Sequence, residues 1–560
     1  MTLRTSSAAL TILGLLTFTG CKDFYDVNTD PLHPSVYTAE QLLPGTQVAM
    51  GTYLGFSLSG LGQATSTLVS QLNSGRGVGS FQQSGSSFSN QWSGLYTDML
   101  ENNELIIKQA TEKNQPGNLG VAQLQKAYVF SLMVDMWGSI PYSQALKGTG
   151  NAESDRAPRF DKDEDIYLGS SDVESLFALI NKGIFNVNKG GIANTDLIYQ
   201  GDKSKWVAFG YSLKLKLYNQ IRLIGNKLPL GYEDSVRVAL TKPLLQSGND
   251  FELPYGSSFQ PENRNISFLS NYVSPGREDY IHQDFFRMMV KKDDPRVPFY
   301  FYTQARASGG LSDFDTTVNV LGVLPTNIVM NFATVRLGST GPLASSVDNS
   351  KLATLPGLYP GGGRFDYGGG TAASVGADFS YARGVVPQRL LTTASRYFTE
   401  AELRLMVLRQ PTAAQDAYVR GVKEAFAKVD AIGRAEGSTT TVPKVEGGAI
   451  PSLAITPFNK VDNYITAATA RYVNAPNDER KLEFIMYEKY VAGFGFGEDI
   501  WTDFRRTGYP IIRAPGEVPG TISNGSRPKR LFYDIQELTS NRNAPREQEP
   551  TTSKIFWDVK

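Results

Sequence analysis

The chain has one cysteine in 560 residues, Cys21, and two histidines, His33 and His282. A lone cysteine makes no internal disulfide, so the fold cannot rely on one even in an oxidising compartment. A Ser-His-Asp or Cys-His hydrolytic device needs a histidine. His33 lies in a polar, proline-broken stretch, and His282, in YIHQDFF, reads as a residue packed among aromatics. The same scarcity argues against a His-based zinc site. Charge of one sign is also lacking: 55 Lys+Arg balance 55 Asp+Glu. No overall basic bias draws the chain onto nucleic acid or anionic lipid. No segment reaches the ~18 consecutive apolar residues that a membrane-spanning helix needs.

What is present begins with MTLRTSSAALTILGLLTFTGC, in which one basic residue, Arg4, precedes a short apolar run from Ala8 to Phe18. That pattern reads as a secretory signal, and Thr19-Gly20-Cys21 gives it the form of a lipoprotein signal. The expectation is a signal over 1–20, lipidation at Cys21 and a tether over 21–44 leading to a body over 45–560. Aromatics make up 11% of the chain, and helix packing is their first use.

Apolar spacing predicts helices over 92–113, with Leu95, Met99, Ile106 and Ala110 near helical positions, and over 203–225, with Trp206, Phe209, Leu213, Leu217 and Ile221 along one side. LGVAQLQKAYVFSLMVDMWG (119–138) is apolar almost all round and reads as a buried helix. Further helices are expected over 172–184, with Asp172 as N-cap, and over 389–410, 412–430 and 478–495. Short Gly- or Pro-marked loops between them favour antiparallel helix pairs. From about 250 to 385 the chain is rich in Gly, Ser, Pro and Tyr. It reads as long loops with a few short strands, the kind of region that carries binding on a rigid scaffold.

Chemistry-bearing motifs are few. DKDEDIYLGSSD (161–172) has a calcium loop's spacing of acids, but Ile166 stands where the turn needs Gly and Asp172 where Glu is needed. It reads as an acidic helix start. GRGVGS (75–80) and GFGFG (493–497) lack the spacing of phosphate loops. No pair among the carboxylates is singled out for glycosidase chemistry.

Four stretches carry a resemblance. They are DMWGSIPYSQAL (135–146), YQGDKSKWVAFGYSLKLKLYNQI (199–221), KLEFIMYEKYVAGFGFGEDIWTDFRRTGYP (481–510), and RPKRLFYDIQELTSNRNAP (527–545) with KIFWDV (554–559). In order, they resemble the signatures of the SusD/RagB family of outer-membrane nutrient-binding lipoproteins. The chain departs from the pattern at Tyr211 (usually Asn), Glu488 (usually Gln) and Tyr490 (usually Trp). Read from the residues, WTDFRRTGYP is a helix end, with Arg505 and Arg506 at the negative pole and Gly508 and Pro510 beyond it. Such signatures are expected to be scaffold rather than site.

The resemblance implies a mainly α fold of tetratricopeptide-like helix pairs forming a right-handed superhelical scaffold, with long loop insertions and a few short strands. It implies a non-enzymatic surface lipoprotein, held on the outer membrane by acyl chains such as palmitate and facing out. CKDF resembles the export signal of such lipoproteins. Its implied partner is a SusC-like TonB-dependent β-barrel transporter, over which it sits as a lid to deliver a glycan, an oligosaccharide or another nutrient. Neither a cofactor nor a metal is implied, and nucleic acid is not a partner. The rival readings are an anchored glycan hydrolase using a carboxylate pair, and a gating scaffold without a cargo site. In the family the site is often near the loop before the W-x-x-L-Y helix and on later insertions, which here are 71–92 and 340–385. Flat rings and planar amides there suit sugars. The candidates are Gln71, Asn73, Arg76, Phe81 and Trp92, followed by Tyr359, Phe365 and Tyr367.

Overall fold

The computed structural model describes residues 37–74, 81–147, 157–227, 231–273, 277–302, 315–318, 330–332, 334–338, 353–364, 383–437, 458–517, 521, 523, 525–546 and 549–560. Helices dominate, as expected, and pack in antiparallel pairs. Pro116–Trp137 lies against Leu176–Lys189, which in turn packs on Lys203–Gln220. Thr393–Met406 packs on Pro411–Gly437 and on Asp478–Ala492, and Leu61–Leu68 lies on Gly497–Thr507.

The first pair approaches closely because of two glycines. A Cβ on Gly120 would meet Val187 N at 2.4 Å, and one on Gly183 would meet the Leu124 side chain at 2.8 Å. Neither position tolerates a side chain without parting the helices. Nearly all of Pro116–Trp137 is buried, as its uniform apolarity requires.

Asp202 caps Lys203–Gln220, accepting from Ser204 N at 2.9 Å and Lys205 N at 3.3 Å. Two expected boundaries move. Ser175, not Asp172, caps Leu176–Lys189, and Asp172 pairs instead with Arg159. A helix spans Ala39–Tyr53, opened by a capping box between Thr38 and Gln41 and holding Pro44 inside it. The helical body therefore begins within the segment expected as tether. A local capping box outweighs the proline signal there.

The strands are short and form five antiparallel pairs among the described residues. Leu72–Ser74 pairs with Asp279–Ile281, in the register Leu72 to Ile281 and Ser74 to Asp279. Phe251–Leu253 pairs with Gln388–Leu391. Among its described residues the stretch from 250 to 385 holds more helix than its composition predicts. It contains the helix Gln283–Val290, and Phe251, Phe285, Tyr300 and Phe301 enter the main core. Eight helical residues between Gly- and Pro-rich flanks are too short for periodicity to reveal.

The four signature stretches form one physical unit. Asp135 accepts from Tyr167 Oη at 2.7 Å and from Trp557 Nε1 at 3.0 Å. Trp137 Nε1 donates to Phe532 O at 2.9 Å, and Tyr533 Oη to Ser139 O at 2.8 Å. Gly508 ends Gly497–Thr507 with φ +81°, as its position predicts. Arg505 and Arg506, expected to face the helix dipole, instead fold into the core. Arg505 Nη2 donates to Asp135 O at 2.6 Å, Nη1 to Lys529 O at 2.8 Å, and its guanidinium lies 3.7 Å from the Trp501 ring centre. Arg506 grips Glu402 with both terminal nitrogens and reaches Asp503 at 2.7 Å.

Glu402 also accepts from Arg222 Nε and Asn219 Nδ2, each at 2.8 Å. Burial alone would raise the Glu402 carboxyl, but Arg506 and Arg222 hold it well below the usual range. The unusual Glu488 receives Arg296 at 3.2 Å and Tyr464 Oη at 2.8 Å. The unusual Tyr490 donates to Val69 O at 3.0 Å.

Candidate functional site

The strand Leu72–Ser74 carries the first candidates to the edge of the helical body. Its partner strand leads directly into His282, which caps Gln283–Val290 by accepting from Asp284 N at 3.1 Å. His282 is buried, as expected, but its charged neighbours are arginines. Burial pushes its imidazole down to about 4; Asp284 opposes this, while Arg336, Arg527 and Arg513 add to it. It is a neutral structural residue at physiological pH, not a catalytic base.

Around this corner four chain segments meet. His282 N donates to Gln71 O at 3.1 Å, and Gln283 N to Val335 O at 3.2 Å. Asn73 Nδ2 donates to Arg336 O at 3.3 Å. The Arg527 guanidinium sits 4.7 Å from the Phe504 ring centre and 5.6 Å from that of Phe81. Its Nη2 donates to Arg513 O at 3.4 Å, and Arg513 approaches Asp284 at 3.6 Å. Among the described residues the corner gathers two packed rings, one amide, three guanidiniums and two carboxylates, Asp284 beside Arg513 and Glu517 near Arg527.

The candidates divide sharply. Asn73 is half-buried at this corner, but Phe81 is buried in the main core beneath Arg527, so its ring, like those of Trp92 and Tyr359, is packed rather than presented. Gln71 supports the corner from below: its side chain is fully buried and Nε2 donates to Tyr490 O at 2.7 Å. Trp92 does not join them. It is 3% exposed and sits among Tyr96, Trp137, Tyr533 and Phe160, with ring centres 5.2 to 6.4 Å away. No face of the indole is left for a sugar.

Tyr359 is buried as well, stacked on Tyr300 at 4.6 Å and beneath Arg389 at 4.1 Å, with its hydroxyl donating to Ala492 O at 3.2 Å. Part of it lines a cavity of about 230 Å³ in which Lys428 bridges Asp250 and Glu252. Cys21, Arg76, Phe365 and Tyr367 lie outside the described residues.

Arg336, Arg513 and Arg527 were not among the sequence candidates. The available signal was a local absence of acid: residues 71–97, 316–347, 504–516 and 518–533 contain no Asp or Glu. Elsewhere on the helical body, a cleft of about 490 Å³ between Lys203–Gln220 and Tyr232–Ala239 is lined by Tyr211, Tyr218, Lys214 and Lys242. Tyr211, the departure from the family pattern, therefore faces a cleft. The acids of 161–172 serve structure: Asp161 accepts from Ser143 N and Arg159 Nε, both at 2.6 Å. Among the described residues no cluster of His, Cys, Asp and Glu could hold a metal ion.

A family model described as SusD-like, starch-binding and associating with the outer membrane, matches residues 60–534. The chain belongs to the SusD-like family. No curated protein matches the sequence. Solved structures share the fold at low identity. A chitin-binding protein is 18% identical with TM-score 0.66, covering 93% of this chain and 100% of its own. A SusD homolog from Bacteroides fragilis is 17% identical with TM-score 0.66, covering 94% and 100%. A SusD/RagB family protein from Bacteroides thetaiotaomicron is 18% identical with TM-score 0.64, covering 94% and 99%. The SusD-like family is a binding family of the outer membrane, and its helical scaffold is the one seen here. No helix among the described residues is long and apolar enough to cross a membrane.

Proposed function

We propose that this SusD-like protein is a cell-surface lipoprotein that captures a glycan or oligosaccharide and passes it to a SusC-like TonB-dependent transporter, which it covers as a lid. The observation that carries this reading is the family match over residues 60–534. The corner formed by Asn73, Arg336 and Arg527 supplies the ligand face. Its amide and guanidiniums suit the vicinal hydroxyls of sugars.

Anchoring runs through Cys21, whose acyl chains place the body outside the outer membrane. One chain alone binds a membrane only marginally, so several chains and the transporter share the task. Capture requires no bond to be made or broken. Two buried carboxylates at the family signatures, Glu402 and Asp503, are already committed to Arg506.

The test is calorimetric titration of the purified chain against soluble glycans and, separately, a peptide digest, with product analysis of each mixture. Saturable glycan binding without product is the expected result. Product formation would favour the hydrolase reading, and silence across all ligands the gating scaffold. Cys21→Ser should release the protein from membranes, and a variant still anchored after salt washing would contradict the lipid anchor.

A further inference from the structure

The formal charges of the chain cancel, yet the capture corner is assembled from stretches without carboxylates. Residues 71–97, 316–347, 504–516 and 518–533 hold no Asp or Glu, and they supply Asn73, Phe81, Arg336, Phe504, Arg513 and Arg527. Two acids approach from outside them. Asp284 is 3.6 Å from Arg513. Glu517, whose Oε2 accepts from Ala514 N at 2.7 Å, lies near Arg527.

The hydrogen bonds of Arg527 leave most of its donors unspent. A guanidinium carries five N–H groups. Arg527 spends one of them in a long bond to Arg513 O at 3.4 Å, and its Nε is buried without an acceptor. Burial pushes the group down to about 10, against the pull of Glu517 and Tyr490. Arg505 provides the control. It is equally wedged against rings, but its donors reach Asp135 O, Lys529 O and Trp501 O. Arg336 repeats the deficit at the same corner: its Nε is buried with no acceptor. A half-buried cation with unspent donors costs free energy unless an anion completes it.

We infer that the capture corner selects an anionic glycan, one whose carboxylates, such as those of uronic acids, bridge the guanidiniums of Arg336 and Arg527. This deepens the capture reading and rests on it. The forked guanidinium fits a carboxylate through two parallel bonds, which a neutral hydroxyl cannot match. Asn73 is placed to hydrogen-bond a neighbouring hydroxyl, and Arg513, more exposed, adds charge at the rim.

The experiment uses the full chain in mild detergent and ligand pairs that differ only in charge. The pairs are oligogalacturonate with its methyl ester, and oligoalginate with its carboxyl-reduced form. Neutral chito-oligosaccharides and an acidic peptide complete the panel. The acidic member of at least one pair should bind about tenfold or more tightly than its neutral counterpart, with affinity falling as salt rises. Arg336→Gln and Arg527→Gln should each remove most of that preference. Arg527 is wedged between rings, so a thermal melt accompanies each variant, and the exposed Arg513→Gln provides a variant outside the packed corner, with a smaller loss expected.

Equal affinity for acid and ester would overturn the inference while leaving glycan capture standing. Binding of neutral chito-oligosaccharides alone would do the same. Silence of both acidic glycans also overturns it, and binding of the acidic peptide alone would overturn glycan capture as well.

Discussion

The helical scaffold and the capture corner treat arginine in opposite ways. In the scaffold, Arg506 meets Glu402 and Asp503, Arg296 meets Asp294 and Glu488, and Arg396 meets Glu400. These cations are neutralised within the fold. Arg506 Nε and Arg296 Nη1 also lack an acceptor, but both groups are ion-paired; at the corner, Arg336 and Arg527 have an unpartnered buried Nε and, among the described residues, no ion pair. Buried ion pairs of the first kind fix the register of packed helices, and removing one partner strands the other. Guanidiniums of the second kind are the ones proposed to meet a ligand. The family's most recognisable residues thus serve packing, and the proposed ligand-touching residues answer to a different physical demand.

The largest effect should come from breaking the scaffold's charge network. Glu402→Ala leaves Arg506 and Arg222 without their shared carboxylate and should cost about 3–5 kcal/mol of stability, read by urea denaturation. Trp92→Ala should cost about 3 kcal/mol through the cavity it opens among Tyr96, Trp137 and Tyr533. Ligand affinity of the folded fraction should stay unchanged. A loss of affinity without loss of stability would move Trp92 from scaffold to site.

A third experiment uses pH. Glu498 is fully buried, and neither carboxylate oxygen has a hydrogen-bond partner. Burial raises its pKa well above the usual 4.5. The folded state therefore holds this proton more tightly than the unfolded chain. Its penalty is absent below pH 4.5 and grows as pH rises toward the folded value. Glu498→Gln should stabilise the protein at pH 7 by about 1–3 kcal/mol. The gap from wild type should close as pH falls to about 4, and a gap independent of pH would show that Glu498 is ionised in the fold. The smallest stability effect should be at the corner: Asn73→Ala removes one 3.3 Å bond to Arg336 O and should cost no more than about 1 kcal/mol. Its effect on ligand affinity should be the larger of the two, measured by titration beside the melt.

Most of the helical scaffold was legible from the sequence, because long helices with fully apolar faces leave a strong periodic signal. Pro116–Trp137 and Lys203–Gln220 lie within a few residues of their expected spans. What escaped was short or set by tertiary contact. The helix Ala39–Tyr53 hid behind Pro44, and Gln283–Val290 behind its loop-like flanks. The inward turn of Arg505 and Arg506 depended on acceptors about a hundred residues or more away, Glu402 and Asp135.

For the site, the first candidate segment leads through Asn73 to the corner proposed for capture, while Phe81 beside it is buried in the core. Choosing residues by ring and amide chemistry alone also drew in Trp92 and Tyr359, whose burial no local pattern announces. Arg336 lies far in sequence from Arg513 and Arg527, and only folding brings the three together.

The most direct test of the division between scaffold and capture corner is a calorimetric titration of soluble glycans into wild type, Arg336→Gln and Trp92→Ala, with products assayed in the same mixtures. The account predicts saturable binding without product in wild type, weakened binding in a stable Arg336→Gln, and unchanged affinity in the folded fraction of Trp92→Ala. Undiminished binding by Arg336→Gln together with lost binding by a stable Trp92→Ala would contradict it.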